Sequence, residues 1–314
     1  MLLRRPTLTP HFKLVVANKP LGLGTLSSPI FQKDQDIPPP WEPPPTLAPQ
    51  QIQHLAHQGW LPVELKPQLL AELEKLSQAS AAFFERHPCE KRAMYASSLG
   101  TEKGLYHVEG EKQYVTLRHH VHPGSALEKH AKEVWRQAGN FLHRILCDMS
   151  RAAGYDVGGW DHLVRGSLNM PEDDSDMQDV LTLMRLFRYY PTAGIAEQHV
   201  DIGLLTLCIG NGKGLQVLDW TDKKNPKWVD AMGPTVLVGD MARALMLNQF
   251  RAGMHRVVSN PAGRSSIIFA LRPCVKEPTD LTEFGGKGTV DTMEIFYKIK
   301  GSKYNINATH NIRQ

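Results

Sequence analysis

From residue 180 onward the chain runs as seven short apolar or alternating segments, at 181–190, 203–209, 214–218, 227–230, 235–238, 255–259 and 266–271. Turn-forming residues separate them, as in NGKG at 211–214 and DKKNP at 222–226. Short strands in such close succession predict an all-β core, a sandwich or a jelly roll.

The first half reads differently. Leu69, Leu70, Leu73, Leu76, Ala79 and Phe83 recur at three- and four-residue steps, which predicts a helix from about Lys66 that Pro88 ends at the latest. Residues 127–153 predict a second helix, with Val134, Ala138, Phe141, Leu142, Ile145 and Met149 on one stripe and Gly154 as its C-terminal cap. Both helices would pack on the outside of the sheet. Residues 171–179, PEDDSDMQD, read as an acidic loop before a strand, and 290–300 as a final helix packing through Met293, Phe296 and Tyr297. The prolines around Trp41 predict an extended chain over the surface, with a candidate edge strand at 12–17. The expected organisation is a Pro-rich extension (1–50), a mainly helical region (51–170), a β core with a C-terminal helix (171–300) and a tail (301–314).

Composition narrows the function. The 36 basic and 32 acidic residues are well mixed, and no basic run is interleaved with aromatics, which argues against nucleic acid as a partner. Apolar stretches fall short of a membrane span, and no apolar run follows Arg4 and Arg5 as a secretory leader would require. Cys89, Cys147, Cys208 and Cys274 form no Cys-x-x-Cys pair, so free thiols in a reducing cytoplasm are expected rather than a disulfide or zinc framework. Without a leader, the sequon at Asn307 carries no weight.

The stretch Gln198-His199-Val200-Asp201 carries the chemistry. On a strand, residues i and i+2 share a face, so His199 and Asp201 can point an imidazole and a carboxylate at one spot. A second imidazole, His255 from a neighbouring strand, would complete three ligands on one side of a metal. The other side stays open, as in a non-haem Fe(II) oxygenase. Downstream, Arg264 and Ser266 share a face of the last apolar strand, where a guanidinium and a hydroxyl can grip one carboxylate. A lone His-x-Asp is weak evidence; the ordered set is stronger.

Residues 180–273 resemble the catalytic core of the isopenicillin N synthase-like, 2-oxoglutarate-dependent dioxygenases. The matching text is Arg188-Tyr189-Tyr190-Pro191, HVDIGLLTL (199–207), GLQVLDW (214–220), Gly239-Asp240, MHRVV (254–258) and Arg264-Ser265-Ser266. A looser likeness, through GWLPVEL (59–65), Phe83-Phe84, Pro88 and Lys91, extends it to roughly 50–300. The resemblance implies a mainly β fold with flanking helices, its core a distorted double-stranded β-helix (jelly roll). It implies His199, Asp201 and His255 as Fe(II) ligands, with O2 as oxidant. Arg264 and Ser266 would hold the distal carboxylate of 2-oxoglutarate, with Tyr190 beside it.

Where the family usually has Asn before Tyr-Tyr-Pro, this chain has Arg188. That arginine either adds positive charge near the co-substrate, meets an acidic substrate, or points away to a surface acid. The implied activity is oxidation of a small organic molecule by hydroxylation, desaturation or ring rearrangement, as in specialised metabolism, by a monomer. Tyr106, His107, Arg118, His120, Arg188, Leu205, Phe269 and Phe296 are the candidate substrate lining, which would suit a planar acidic or phenolic molecule. Two alternatives stand beside this: a same-fold Fe(II) oxygenase whose Arg264 and Ser266 hold a carboxylate of the substrate itself, and an inactive binding protein. The histidines in RHHVH (118–122) are expected at the surface or in the substrate lining, Asp240 in a turn, and 210–214 in a turn that is not a phosphate loop.

Overall fold

All seven segments expected as strands lie in β-structure. The computed structural model describes residues 44–191 and 194–301. The expectations for 12–17, for most of the Pro-rich extension and for the sequon lie outside the described residues.

The described residues open with helix α1 (Pro49–Gln58), strand β1 (Trp60–Pro62), helices α2 (Pro67–Phe84) and α3 (Pro88–Met94), and a hairpin of β2 (Gly104–Val108) and β3 (Lys112–Leu117). The long helix α4 (Ala126–Ala153) follows, then two helical turns, α5 (Asp161–Val164) and α6 (Asp174–Met177). The β core comprises β4 (Leu183–Tyr189), β5 (Ala196–His199), β6 (Leu205–Gly210), β7 (Leu215–Asp219), β8 (Lys227–Asp230) and β9 (Thr235–Val238). Helix α7 (Asp240–Leu245) interrupts it before β10 (His255–Val257) and β11 (Arg264–Leu271). A small ribbon of β12 (Thr279–Asp280) and β13 (Thr289–Val290) leads to α8 (Thr292–Gly301).

Two antiparallel sheets face each other. The larger has the order β1-β9-β6-β11-β4-β3-β2, and the smaller β5-β10-β7-β8. Strands adjacent in space are mostly distant in sequence, as in a jelly roll. β4 and β11 are buried on both faces, so they read as near-continuous apolar runs. One face of the large sheet, with Leu186, Ile267 and Phe269, packs against α2 and α4, where the Phe269 ring meets Trp135 edge-on. The other face, with Phe187, Tyr189 and Cys208, looks across at Leu215, Val217 and Val257 of the small sheet.

The two helices arise as their apolar spacing requires. α2 buries Leu69, Leu73, Leu76 and Phe83, although Leu70 is exposed because it lies off the stripe. α4 starts at Ser125, whose hydroxyl accepts the Glu128 N–H, and ends at Gly154 with φ 73°, a left-handed conformation that suits glycine. Some expectations need correcting. The acidic 171–179 stretch contains α6, whose first turn Asp173 caps. In α8 the buried residues are Thr292, Phe296 and Ile299, while Tyr297 is exposed, one step round the helix from the packed face. The β2–β3 hairpin was not expected as strands, since KQYVTL mixes polar and apolar residues that are all buried.

Candidate active site

His199 closes β5, and its register partner on β10 is His255. Their rings lie 4.1 Å apart between centroids. Asp201 lies just past the end of β5, not on the strand as the i, i+2 argument required. Its place is fixed instead by the N-terminus of α7: the Asp240 N–H donates to the Asp201 carbonyl at 2.8 Å and the Met241 N–H to that of Ile202 at 3.1 Å. Asp240 thus begins a helix rather than a simple turn. One ligand atom each from His199, Asp201 and His255 falls within 4.8 Å of the others.

The tautomers suit metal binding. The Nδ1–H of His199 donates to the Glu197 carbonyl at 2.7 Å, and that of His255 to the Gly253 carbonyl at 2.9 Å. A carbonyl can only accept, so each Nε2 keeps its lone pair for a metal. Burial pushes the Asp201 carboxyl up, but whenever His255 and His199 carry a proton in place of a metal their positive charge outweighs burial and holds the carboxyl below its ordinary range. A carboxylate flanked by two imidazoles, with one side open, is a donor set that fits Fe(II).

These three residues line a cavity of about 620 Å³ that also takes in Arg264 and Ser266. Both side chains are buried, and among the described residues Arg264 Nε and Ser266 Oγ have no hydrogen-bond partner. An orphaned guanidinium nitrogen beside an orphaned hydroxyl is costly unless a ligand completes it. Gly210 and Gly214 make room for Arg264: a Cβ at Gly210 would lie 2.2 Å from Arg264 Nη2, and one at Gly214 3.2 Å from Cδ. The two glycines read in sequence only as a turn therefore form the seat of Arg264.

The pleat of β4 decides which of its residues enter the cavity. Arg185, Phe187 and Tyr189 line it, and the Arg264 guanidinium lies 5.8 Å from the Tyr189 ring. Tyr190 does not line the cavity; its hydroxyl meets His107 Nε2 at 3.4 Å. Tyr190, expected beside the Arg264 seat, thus lies away from it, and Tyr189 lies against Arg264. Arg188, on the opposite face from Arg185, pairs with Glu85 at 2.8 Å.

The other substrate candidates also lie elsewhere. Tyr106 stacks on Tyr114 and donates to the Ser98 carbonyl. His120 faces the buried Glu128 carboxylate, Arg118 donates to the Val180 carbonyl, and Phe269 lies on the helix-facing side of β11. Leu205 and Phe296 are core residues. At the other end of the cavity the structure gathers residues that sequence reasoning missed, namely Leu99, Glu102, Arg185, Arg272 and Lys300. They come from four distant segments, so no spacing in the sequence marked them.

Residues 181–273 match the 2OG-Fe(II) oxygenase superfamily. That match, together with the His199, Asp201 and His255 cluster, marks this stretch as an oxygenase domain of an oxidoreductase that uses Fe(II), 2-oxoglutarate and O2. Among solved structures, a 2OG-Fe(II) oxygenase family protein from Caulobacter crescentus shares 18% identity, with a TM-score of 0.63, over 81% of this chain and 94% of that one. T7H of Neurospora crassa, solved with alpha-KG and thymine, shares 16% identity (TM-score 0.60) over 81% of this chain and 90% of that one. The rice dioxygenase for auxin oxidation shares 17% identity (TM-score 0.59) over 81% and 88%. At these identities the likeness carries the fold alone. No curated protein matches the chain. Among the described residues, no helix is long and apolar enough to cross a membrane.

Proposed function

We propose that His199, Asp201 and His255 hold the Fe(II), and that Arg264 with Ser266 binds the distal carboxylate of 2-oxoglutarate. The single observation carrying this reading is the pair of orphaned polar atoms, Arg264 Nε and Ser266 Oγ, buried in the same cavity as the three ligand atoms. Once bound, the iron and its co-substrate supply the oxidising power: O2 is consumed, 2-oxoglutarate becomes succinate and CO2, and a C–H bond of the substrate is oxidised.

The protein's own residues supply position and a dry enclosure. The carbonyls of Glu197 and Gly253 fix both imidazole rings, so neither ligand has to reorient when metal arrives. The Arg264 guanidinium sits over the electron-rich face of Tyr189 and presents its free edge to a carboxylate. Phe187, Ala196, Leu215, Val257 and Ile268 give the cavity an apolar wall, which excludes water and strengthens each charged contact inside.

The primary substrate is a small organic molecule of aromatic or acidic character, oxidised by hydroxylation, desaturation or ring rearrangement. Four free thiols and a ferrous centre suit a monomer working in a reducing cytoplasm. Anaerobic Fe(II) binding by wild type, His255→Ala and Asp201→Ala, each also assayed for succinate formation from 2-oxoglutarate, tests the assignment. Both substitutions should abolish tight iron binding and succinate release together; iron bound as tightly without His255 would refute it.

A further inference from the structure

The cavity has a second charged end. Along β4 the cavity-facing side chains are Tyr189, Phe187 and Arg185, and their register partners on β11 are Arg264, Ser266 and Ile268. Four residues of strand, roughly 13 Å, separate the Arg264 end from Arg185. Just beyond lies Arg272, whose stem packs so closely on the turn after Asp201 that a Cβ at Gly203 would lie 2.8 Å from its Cγ. Lys300, from α8, lines the same end. Three cations thus border the space beside the metal ligands, opposite the proposed co-substrate seat.

Glu102 bonds two of them directly, while Asp201 lies within electrostatic reach of Arg272. Glu102 accepts from Arg272 Nη1 at 2.5 Å and from Arg185 Nη2 at 3.4 Å, and its side chain is 14% exposed. It is carried on a tight turn, where Ser98 bridges Lys103 and both Leu99 (φ 55°) and Gly100 (φ 66°) are left-handed. Leu99 at the tip is exposed, yet it also lines the cavity. Among the described residues, Glu102 is the carboxylate that both arginines bond, Arg185 donates further to Thr116 Oγ1 and the Thr101 carbonyl, and Arg272 Nε is buried with no hydrogen-bond partner.

We infer that Arg185 and Arg272 form an anion-binding subsite for the primary substrate, and that Glu102 fills it as an internal stand-in which a substrate carboxylate displaces. The geometry sets the orientation. A molecule with its acid group on Arg185 and Arg272 lays its carbon skeleton along Phe187 and Ile268, toward His199, Asp201 and His255. The acid group is then held at the end of the cavity away from Arg264, so substrate and 2-oxoglutarate do not compete for one guanidinium. Rotation of the Glu102 side chain away from the cavity exchanges one carboxylate for another on the same arginines. An uncharged molecule has no such exchange to offer and leaves the Glu102 pair in place. A substrate carboxylate therefore selects itself against neutral analogues of equal shape.

This substrate class rests on the oxygenase reading, and the two are separable by experiment. Protein loaded anaerobically with Fe(II) and saturating 2-oxoglutarate is titrated calorimetrically with 3-phenylpropionate and octanoate, each beside its neutral primary amide. Wild type should prefer at least one acid over its amide by about tenfold, the scale of one charge-assisted hydrogen bond. Arg185→Gln should bring that preference to within about twofold. Glu102→Gln, which removes the internal competitor, should bind the acid several-fold more tightly than wild type, a gain that misfolding cannot produce. Amides bound as well as acids, acids that do not bind, or a preference that survives Arg185→Gln would overturn the subsite. The visible chelate band of bound 2-oxoglutarate, read in the same samples, reports separately on the oxygenase reading. An acid preference without that band supports the subsite and counts against the oxygenase reading alone.

Discussion

Gly210 stands against the guanidinium of Arg264 with no room for a methyl group, since a Cβ there would lie 2.2 Å from Nη2 and 2.8 Å from Cζ. Gly210→Ala therefore pushes Arg264 off its seat without touching a proposed metal ligand. Affinity for 2-oxoglutarate should fall by about 10- to 100-fold, the worth of a charge-assisted hydrogen bond or two. Fe(II) affinity should stay within about threefold of wild type, because the change leaves all three ligands in place. Calorimetric titration of each ligand separates the two effects.

Metal and co-substrate should stabilise the fold by mass action. A ligand at a hundred times its dissociation constant adds about 2.7 kcal/mol, which in a domain of this size raises Tm by several degrees. Fe(II) with 2-oxoglutarate should produce that rise and a chelator should reverse it. His199→Ala and Asp201→Ala should melt at the same temperature with or without the additions.

The Glu102 carboxyl carries a pH signature. Burial would push it up, but the guanidiniums of Arg272 and Arg185 and the Lys300 ammonium hold it well below the usual carboxylate range. Its stabilising contribution is complete above the unfolded-state value of about 4.3 and is lost as pH falls through that value to the lower folded one. Breaking this mostly buried pair by Glu102→Gln should cost about 3 kcal/mol near neutrality. The difference in melting between wild type and Glu102→Gln should stay level from about pH 7 to 5 and narrow below about 4.3. A gap that closes between pH 5 and 7 would contradict the pairing.

Arg188 and Tyr190 should be dispensable where Arg185 and Tyr189 are not. The Arg188–Glu85 pair is solvent-exposed on the Glu85 side, so Arg188→Ala should cost under about 1 kcal/mol. Its kcat/KM for 2-oxoglutarate turnover, and that of Tyr190→Phe, should remain near wild type. Tyr189→Ala, which strips the ring beneath Arg264, should raise the KM for 2-oxoglutarate.

The proposed metal ligands were legible because their chemistry is compressed into few residues. His199 and Asp201 lie two apart, and Arg264 and Ser266 open a strand whose alternation the sequence displays. What failed was the choice of face. The β4 sequence LMRLFRY is buried on both sides and carries an arginine on each, so alternation alone cannot say whether Arg185 or Arg188 turns inward. Only pairing with β3 and β11 settles it. The hairpin β2–β3 was hidden because its buried polar groups are satisfied far away, as where Lys112 Nζ donates to the Ile195 carbonyl and Lys91 Nζ to Gln113. Glu102 was unreadable for the same reason: its meaning comes from Arg185 and Arg272, which the sheet brings to it.

The most direct test is anaerobic titration of the Fe(II)-loaded protein with 2-oxoglutarate, following the weak visible metal-to-ligand band of the chelate, for wild type, Arg264→Ala and His255→Ala. The account predicts a saturable band in wild type, a much weakened titration in Arg264→Ala and no band in His255→Ala. A band of full strength and unchanged affinity in Arg264→Ala, or iron binding that survives the loss of His255, would contradict it.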